Sequence, residues 1–314
     1  MAGTTPSADL LGRIRRGEVG GVILFGSNIT TKTALVALTK SLRTAAQLGG
    51  QPRFIIAVDQ EGGAIKRIPW APPTLSPPQM GKIGLTSTAR TQGAETATAL
   101  RALGINVDLA PVADVPASTA SFIYKQGRAW SFSASKTAAL SDAFATGLES
   151  GHVLPSMKHF PGLGFATKNT DLSVVTLTAS ATALAPGLLP YRTAIGHHIP
   201  LIMLSNATYT AYDRTNAAGW SRAIGFTLLR QKLGFTGATI TDSLDGTAHA
   251  RGVAASLLAV RASLVGTDFL LTTGTEASSR AMFSRLLRLA QSGSIPRVTL
   301  QNSYNRILAL KAGL

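Results

Sequence analysis

The residues best equipped for chemistry in this chain are its acids, because they are few and are not scattered like surface charges. Fifteen Asp and Glu stand against thirty Lys and Arg in 314 residues. Asp59 and Glu61 follow the apolar run that begins at Phe54, and Asp114 lies beyond the run Ile105 to Leu109. Asp171 stands in the loop after Lys158-His159, and Asp242, with Asp245 close behind, ends the run Ala238 to Thr241. The Lys-His pair closes another apolar run, and Pro161, Gly162 and Gly164 prevent the strand from going further. An acid after a strand often caps the next helix. With four such loops, and Lys158, His159, Arg67 and Arg128 beside them, a site is the better reading. Acids able to flank a bond, with cationic and neutral donors around them, suit glycosidic cleavage: one carboxylate attacks or stabilises while another group moves the proton.

The elements that must position these residues alternate. Strands are expected at Gly21 to Phe25, Phe54 to Asp59, Ile105 to Leu109, Val153 to Lys158, Leu201 to Ser205, Ala238 to Thr241 and Asp268 to Thr272. Helical periodicity fills the intervals: Thr31 to Leu48, Thr88 to Leu103, Ser135 to Ser150, Ala179 to Gly196, Ser221 to Leu233, Thr247 to Val265 and Glu276 to Ser292. Near-continuous apolar strands between helices predict an α/β fold with a parallel sheet covered on both faces, either a (β/α)8 TIM-type barrel or a doubly wound sheet. In both, the carboxyl ends of the strands bear the ligand site. Seven strands are one short of a barrel; Leu10 to Arg16 reads as helix, so the first strand is missing from the chain as written or the barrel is unusual. No linker or repeat divides the chain, and residues 1–314 read as one domain.

Composition narrows the function. Hydrophobic residues make up 45%, enough for a large core. The formal charge of +15 would attract polyanions, but aromatics are only 6% and the basic groups are dispersed. A stacking platform needs the two interleaved, so no nucleic-acid partner is expected. The absence of cysteine excludes disulfides and thiol chemistry, and five dispersed histidines make no zinc spacing, so neither metal nor other cofactor is expected. No apolar stretch is long enough to span a membrane, and Met1 to Asp9 lacks the pattern of a secretory signal.

Four ordered motifs carry a resemblance. Gly20-Gly21-Val22-Ile23-Leu24-Phe25 with Asn28, Ala57-Val58-Asp59-Gln60-Glu61-Gly62-Gly63 with Arg67, Lys158-His159-Phe160-Pro161-Gly162, and Thr241-Asp242 resemble the family 3 glycoside hydrolases, nearest to their single-domain bacterial β-N-acetylhexosaminidases. The resemblance implies a (β/α)8-type barrel that cleaves β-linked N-acetylglucosaminides with retention and without metal. It implies Asp242 as the nucleophile, with Asp59, Arg67, Arg128, Lys158 and His159 holding the sugar, as a carboxylate and rigid guanidinium forks are suited to do. The partner expected is carbohydrate such as cell-wall fragments, and the chain is expected to be a monomer.

Three departures matter. The hexosaminidases carry an Asp-Ser-His triplet after the Lys-His-Phe-Pro-Gly motif, its His being the acid/base; here the loop reads Asn169-Thr170-Asp171, with Asp171 where that His would stand. A carboxyl can take the role if burial or a neighbouring charge raises its pKa. Asn206 stands where the family usually has a His, able to bind a sugar hydroxyl but not to carry a proton. Finally, the chain opens at Met1-Ala2-Gly3 just after where the family's first strand would lie. The true start is expected upstream, and the expected location is cytoplasmic as written, exported if a leader precedes it. The rival readings are a catalytically impaired glycan-binding barrel, a β-glucosidase-like member of the family, and an anchor to anionic polymer.

Overall fold

The computed structural model describes residues 1, 3–51 and 53–314. Six parallel strands form one sheet in chain order: β1 (Gly21–Leu24), β2 (Ile55–Val58), β3 (Val107–Asp108), β4 (Leu154–Phe160), β5 (Leu201–Leu204) and β6 (Ala238–Thr241). Alternate residues serve two cores. Ile23, Ala57, Val107, Leu201, Met203 and Ala238 pack together inside the curve of the sheet. Their neighbours Val22, Leu24, Ile56 and Val58, and on the other side Met157, Ile202 and Leu204, pack outward beneath the helices. Burial on both faces is why these strands read as unbroken apolar runs.

Most helices follow the expected periodicity. Thr31 caps Lys32–Leu48 by accepting from the Ala34 amide at 3.1 Å, and Ser133 caps Ala134–Ser150. The helices Thr86–Ala102 and Ala134–Ser150 meet through glycines: a Cβ on Gly147 would lie 2.2 Å from the Arg90 carbonyl, and one on Gly93 2.2 Å from that of Phe144. The run Ala179 to Gly196 is broken into Ala181–Leu184, the turn Ala185–Leu188 and Leu189–Gly196, where Pro186 and Pro190 cannot donate to a preceding turn. The run Thr247 to Val265 divides into Leu244–Ala250 and Ala255–Leu264, with Gly252 left-handed at φ 65 between them. Residues Ala223–Lys232 wind at π pitch. Several elements were not foreseen, among them a hairpin of Gln60–Gly62 with Ile65–Lys66, the short pair Thr176–Leu177 with Thr208–Tyr209, and the helices Pro77–Ile83, Phe122–Lys125 and Arg297–Ala312.

The seventh expected strand is corrected. Asp268 to Thr272 runs beside β6 but pairs with it only through the Ile240–Phe269 bridge. Two causes shorten the ladder. The Leu271 amide donates to the Thr241 side chain instead of to a backbone carbonyl. Asp268 is taken up by Arg230, Arg306, Ser303 and the Thr239 amide. Among the described residues, nothing pairs this segment with β1, so the sheet curls without closing in an eight-stranded ring. The seam is an apolar cleft of about 400 Å³ lined by Val22, Ile23, Ile240, Phe269, Leu270 and Leu286.

Candidate active site

The carboxyl ends of the strands converge on one cavity of about 380 Å³, whose wall includes Asp59, Glu61, Arg67, Arg128, Lys158, His159, Asp171 and Asp242. Seven of the eight residues expected at the site are thereby brought together. The strand ends explain why. Asp59 follows β2, Lys158 and His159 belong to the last turn of β4, and Asp242 follows β6. Asp171 arrives on the loop after β4, and Arg128 on the loop between β3 and Ala134–Ser150.

At the floor, Lys158 Nζ lies 2.6 Å from both Asp59 Oδ1 and Glu61 Oε1. Glu61 is also held in a fork by Arg128, whose Nε and Nη2 donate to its two oxygens at 2.7 and 2.8 Å. Burial alone would raise the Glu61 carboxyl, but Arg128 and Lys158 hold it down at about 2. Burial likewise opposes the Lys158 ammonium, and its two acid neighbours win, so its pKa rises above the ordinary lysine value. Arg67 Nη2 lies 3.8 Å from Asp59 Oδ2 and its guanidinium stands 5.5 Å from the Phe25 ring centre.

His159 is fixed from behind by Asp114, a fully buried acid beyond β3. Asp114 Oδ2 is 2.8 Å from His159 Nδ1, while its Oδ1 accepts from the His159 and Leu163 amides. Asp108, at the end of β3, accepts from the Gln60 amide through Oδ1, and its Oδ2 has no partner among the described residues; burial pushes its carboxyl up to about 8.

Across the cavity, Asp242 accepts from the Ser243 amide at 2.7 Å. Asp171 is turned inward by an Asn169 side chain that accepts from its amide at 2.9 Å. Burial first, then the Asp242 charge, push the Asp171 carboxyl up to about 6. Two acids thus face one space, and the raised pKa of Asp171 suits it to carry a proton there.

Asn206 is corrected. It is 1% exposed, does not line the cavity, and donates to the Ser243 carbonyl at 2.6 Å, one layer behind Asp242. The turn after β5 points it under the β6 loop, so it supports the wall instead of touching what fills it. Glu61 was visible as an acid after β2, but its place in the site depends on the hairpin, which the sequence did not signal. Asp114 was visible on the same footing, and its pairing with His159 is a tertiary fact. Among the described residues, no group of three or more His, Cys, Asp or Glu is arranged to hold a metal ion, and no helix is long and apolar enough to cross a membrane.

Residues 2–310 match the family described as the glycosyl hydrolase family 3 N terminal domain. An "Uncharacterized secreted glycosyl hydrolase" of Arthroderma benhamiae is 34% identical, over 99% of this chain and 90% of its own. A "Beta-hexosaminidase" of Bordetella parapertussis is 31% identical, over 95% of this chain and 85% of its own. The solved family 3 β-N-acetylglucosaminidase of Paenibacillus sp. str. FPU-7 superposes with a TM-score of 0.94 at 27% identity; it covers all of this chain, which spans 60% of that one.

Proposed function

The chain belongs to glycosyl hydrolase family 3, and on that premise we propose that it is a retaining β-glycosidase releasing terminal β-linked N-acetylglucosamine from glycans such as cell-wall fragments. It works as a one-domain monomer. The observation that carries the reading is that Asp59, Asp171 and Asp242 line one cavity, with Asp171 held near pKa 6 beside Asp242. The names of the bacterial relative and the superposed structure support the sugar.

In the first step an Asp242 oxygen attacks the anomeric carbon and the bond to the leaving oxygen breaks. Asp171 gives its proton to that oxygen. In the second step Asp171, now a carboxylate, takes a proton from water as the water attacks the same carbon and releases Asp242. A retaining pair works across about 5 to 5.5 Å. Asp59, Arg67, Lys158 and His159 offer acceptors and donors to the ring hydroxyls, with Arg128 bracing Glu61 beside them and Asn206 supporting the Asp242 turn.

Trapping tests this. A 2-fluoro glycoside with a good leaving group should label a single peptide containing Asp242, seen by mass mapping. Tight binding without label, for every sugar offered, would instead indicate a glycan-binding protein.

A further inference from the structure

Helix Leu244–Ala250 carries a glycine, Gly246, as its third residue, although glycine weakens helices. No left-handed backbone calls for it. The reason lies across the cavity. A Cβ at Gly246 would stand 2.8 Å from the Asp171 carbonyl oxygen, 2.9 Å from Asp171 Cβ and 3.0 Å from its Cα. The Asp171 backbone therefore rests directly on this bare turn. Asp171 has little else to hold it: Asn169 receives its amide, and its Oδ1 is buried with no partner among the described residues.

We propose that Gly246 is a positioning residue, the seat on which Asp171 rests so that its carboxyl faces Asp242 across the substrate space. The inference builds on the acid/base reading of Asp171. Gly246 touches no reacting atom in this scheme; its contribution is the missing side chain, which lets the loop after β4 come down to the helix that follows Asp242.

Gly246→Ala tests it. The methyl lifts Asp171 from its place, and a displacement near 1 Å costs up to about 100-fold in such chemistry. We expect kcat/KM for alkyl β-N-acetylglucosaminides, which need a protonated leaving group, to fall about 10- to 100-fold. With 2,4-dinitrophenyl glycosides, which do not, the change should stay within about threefold. The basic limb of the pH profile should move below its wild-type position. In Asp171→Asn, adding Gly246→Ala should cost nothing more. Equal losses on both substrates, or losses that multiply in the double variant, would overturn the assignment.

If Gly246→Ala does not fold, Gly246→Ala combined with glycine at each of positions 169 to 172, a loop free to draw back from the methyl, decides: restored cooperative melting supports the seat, and persistent unfolding rejects it. An Asp171→Asn enzyme indifferent to leaving group sinks the acid/base reading itself. An Asp171→Asn enzyme that is sensitive, beside a Gly246→Ala enzyme that is not, sinks only the seat.

Discussion

Asp242 and Asp171 carry the same functional group, yet the proposed reaction asks one to attack and the other to arrive protonated. Their surroundings separate them. Asp242 receives an amide hydrogen bond from Ser243, whereas Asp171 has a buried oxygen with no partner among the described residues and an acid for a neighbour. Asp242→Asn should lower turnover by about 10³-fold or more on every substrate, since the amide that replaces the proposed nucleophile cannot form the bond. Asp171→Asn should cost about 10²- to 10⁴-fold on alkyl glycosides and far less on activated aryl ones, the range of a lost acid catalyst. The pH dependence follows in sign. The protonated form is the competent one, so kcat/KM on alkyl glycosides should be level below pH 6 and fall as pH rises through about 6. That limb should vanish in Asp171→Asn, as stopped assays across pH 5 to 8 would read directly.

The elements matter as carriers of these groups, and the ends of the strands more than their middles. Asp108 at the end of β3 makes a clean test. Its ordinary value is 3.8 and burial raises it to about 8, so between those values the folded chain holds a proton that the unfolded chain has lost. The unfolded state binding fewer protons means that this contribution to stability is complete below about pH 4 and disappears as pH approaches 8. Asp108→Asn should accordingly gain on the wild type as pH rises, seen as a smaller drop in Tm between pH 5 and pH 8. The effect of Glu61 has the opposite sign and falls at more acid pH, below its ordinary 4.5 and down to about 2, so the comparison between pH 5 and pH 8 is free of it. Packing between elements gives a second test. Gly147→Ala places a methyl 2.2 Å from the Arg90 carbonyl and should destabilise by about 1 to 3 kcal/mol, measured by denaturant unfolding. The strand ends were legible in the sequence because apolar runs stop at an acid or at Pro and Gly, which marks Asp59, Lys158 and Asp242 without any tertiary knowledge. The Glu61–Arg128 fork, the Asp114–His159 pair and the retreat of Asn206 were not legible, since each joins residues from different loops. Asp268 shows the limit from the other side: its run looks like a strand, but Arg230 and Arg306, distant in sequence, take its carboxylate and interrupt the ladder.

At the scale of the molecule, the sheet is a ring with a gap. Gly21–Leu24 and the segment Phe269 to Leu271 border that gap and are bonded to a neighbour on one side only, so hydrogen exchange there should be faster than in β4 and β5, which have paired neighbours on both sides. The two margins face each other across a cleft that their own apolar side chains line, and Val22, Ile23 and Leu24 on β1 are already buried. A wall left unzipped along one seam can widen there without breaking a rung of its ladder, so the seam should be where the molecule yields first to denaturant.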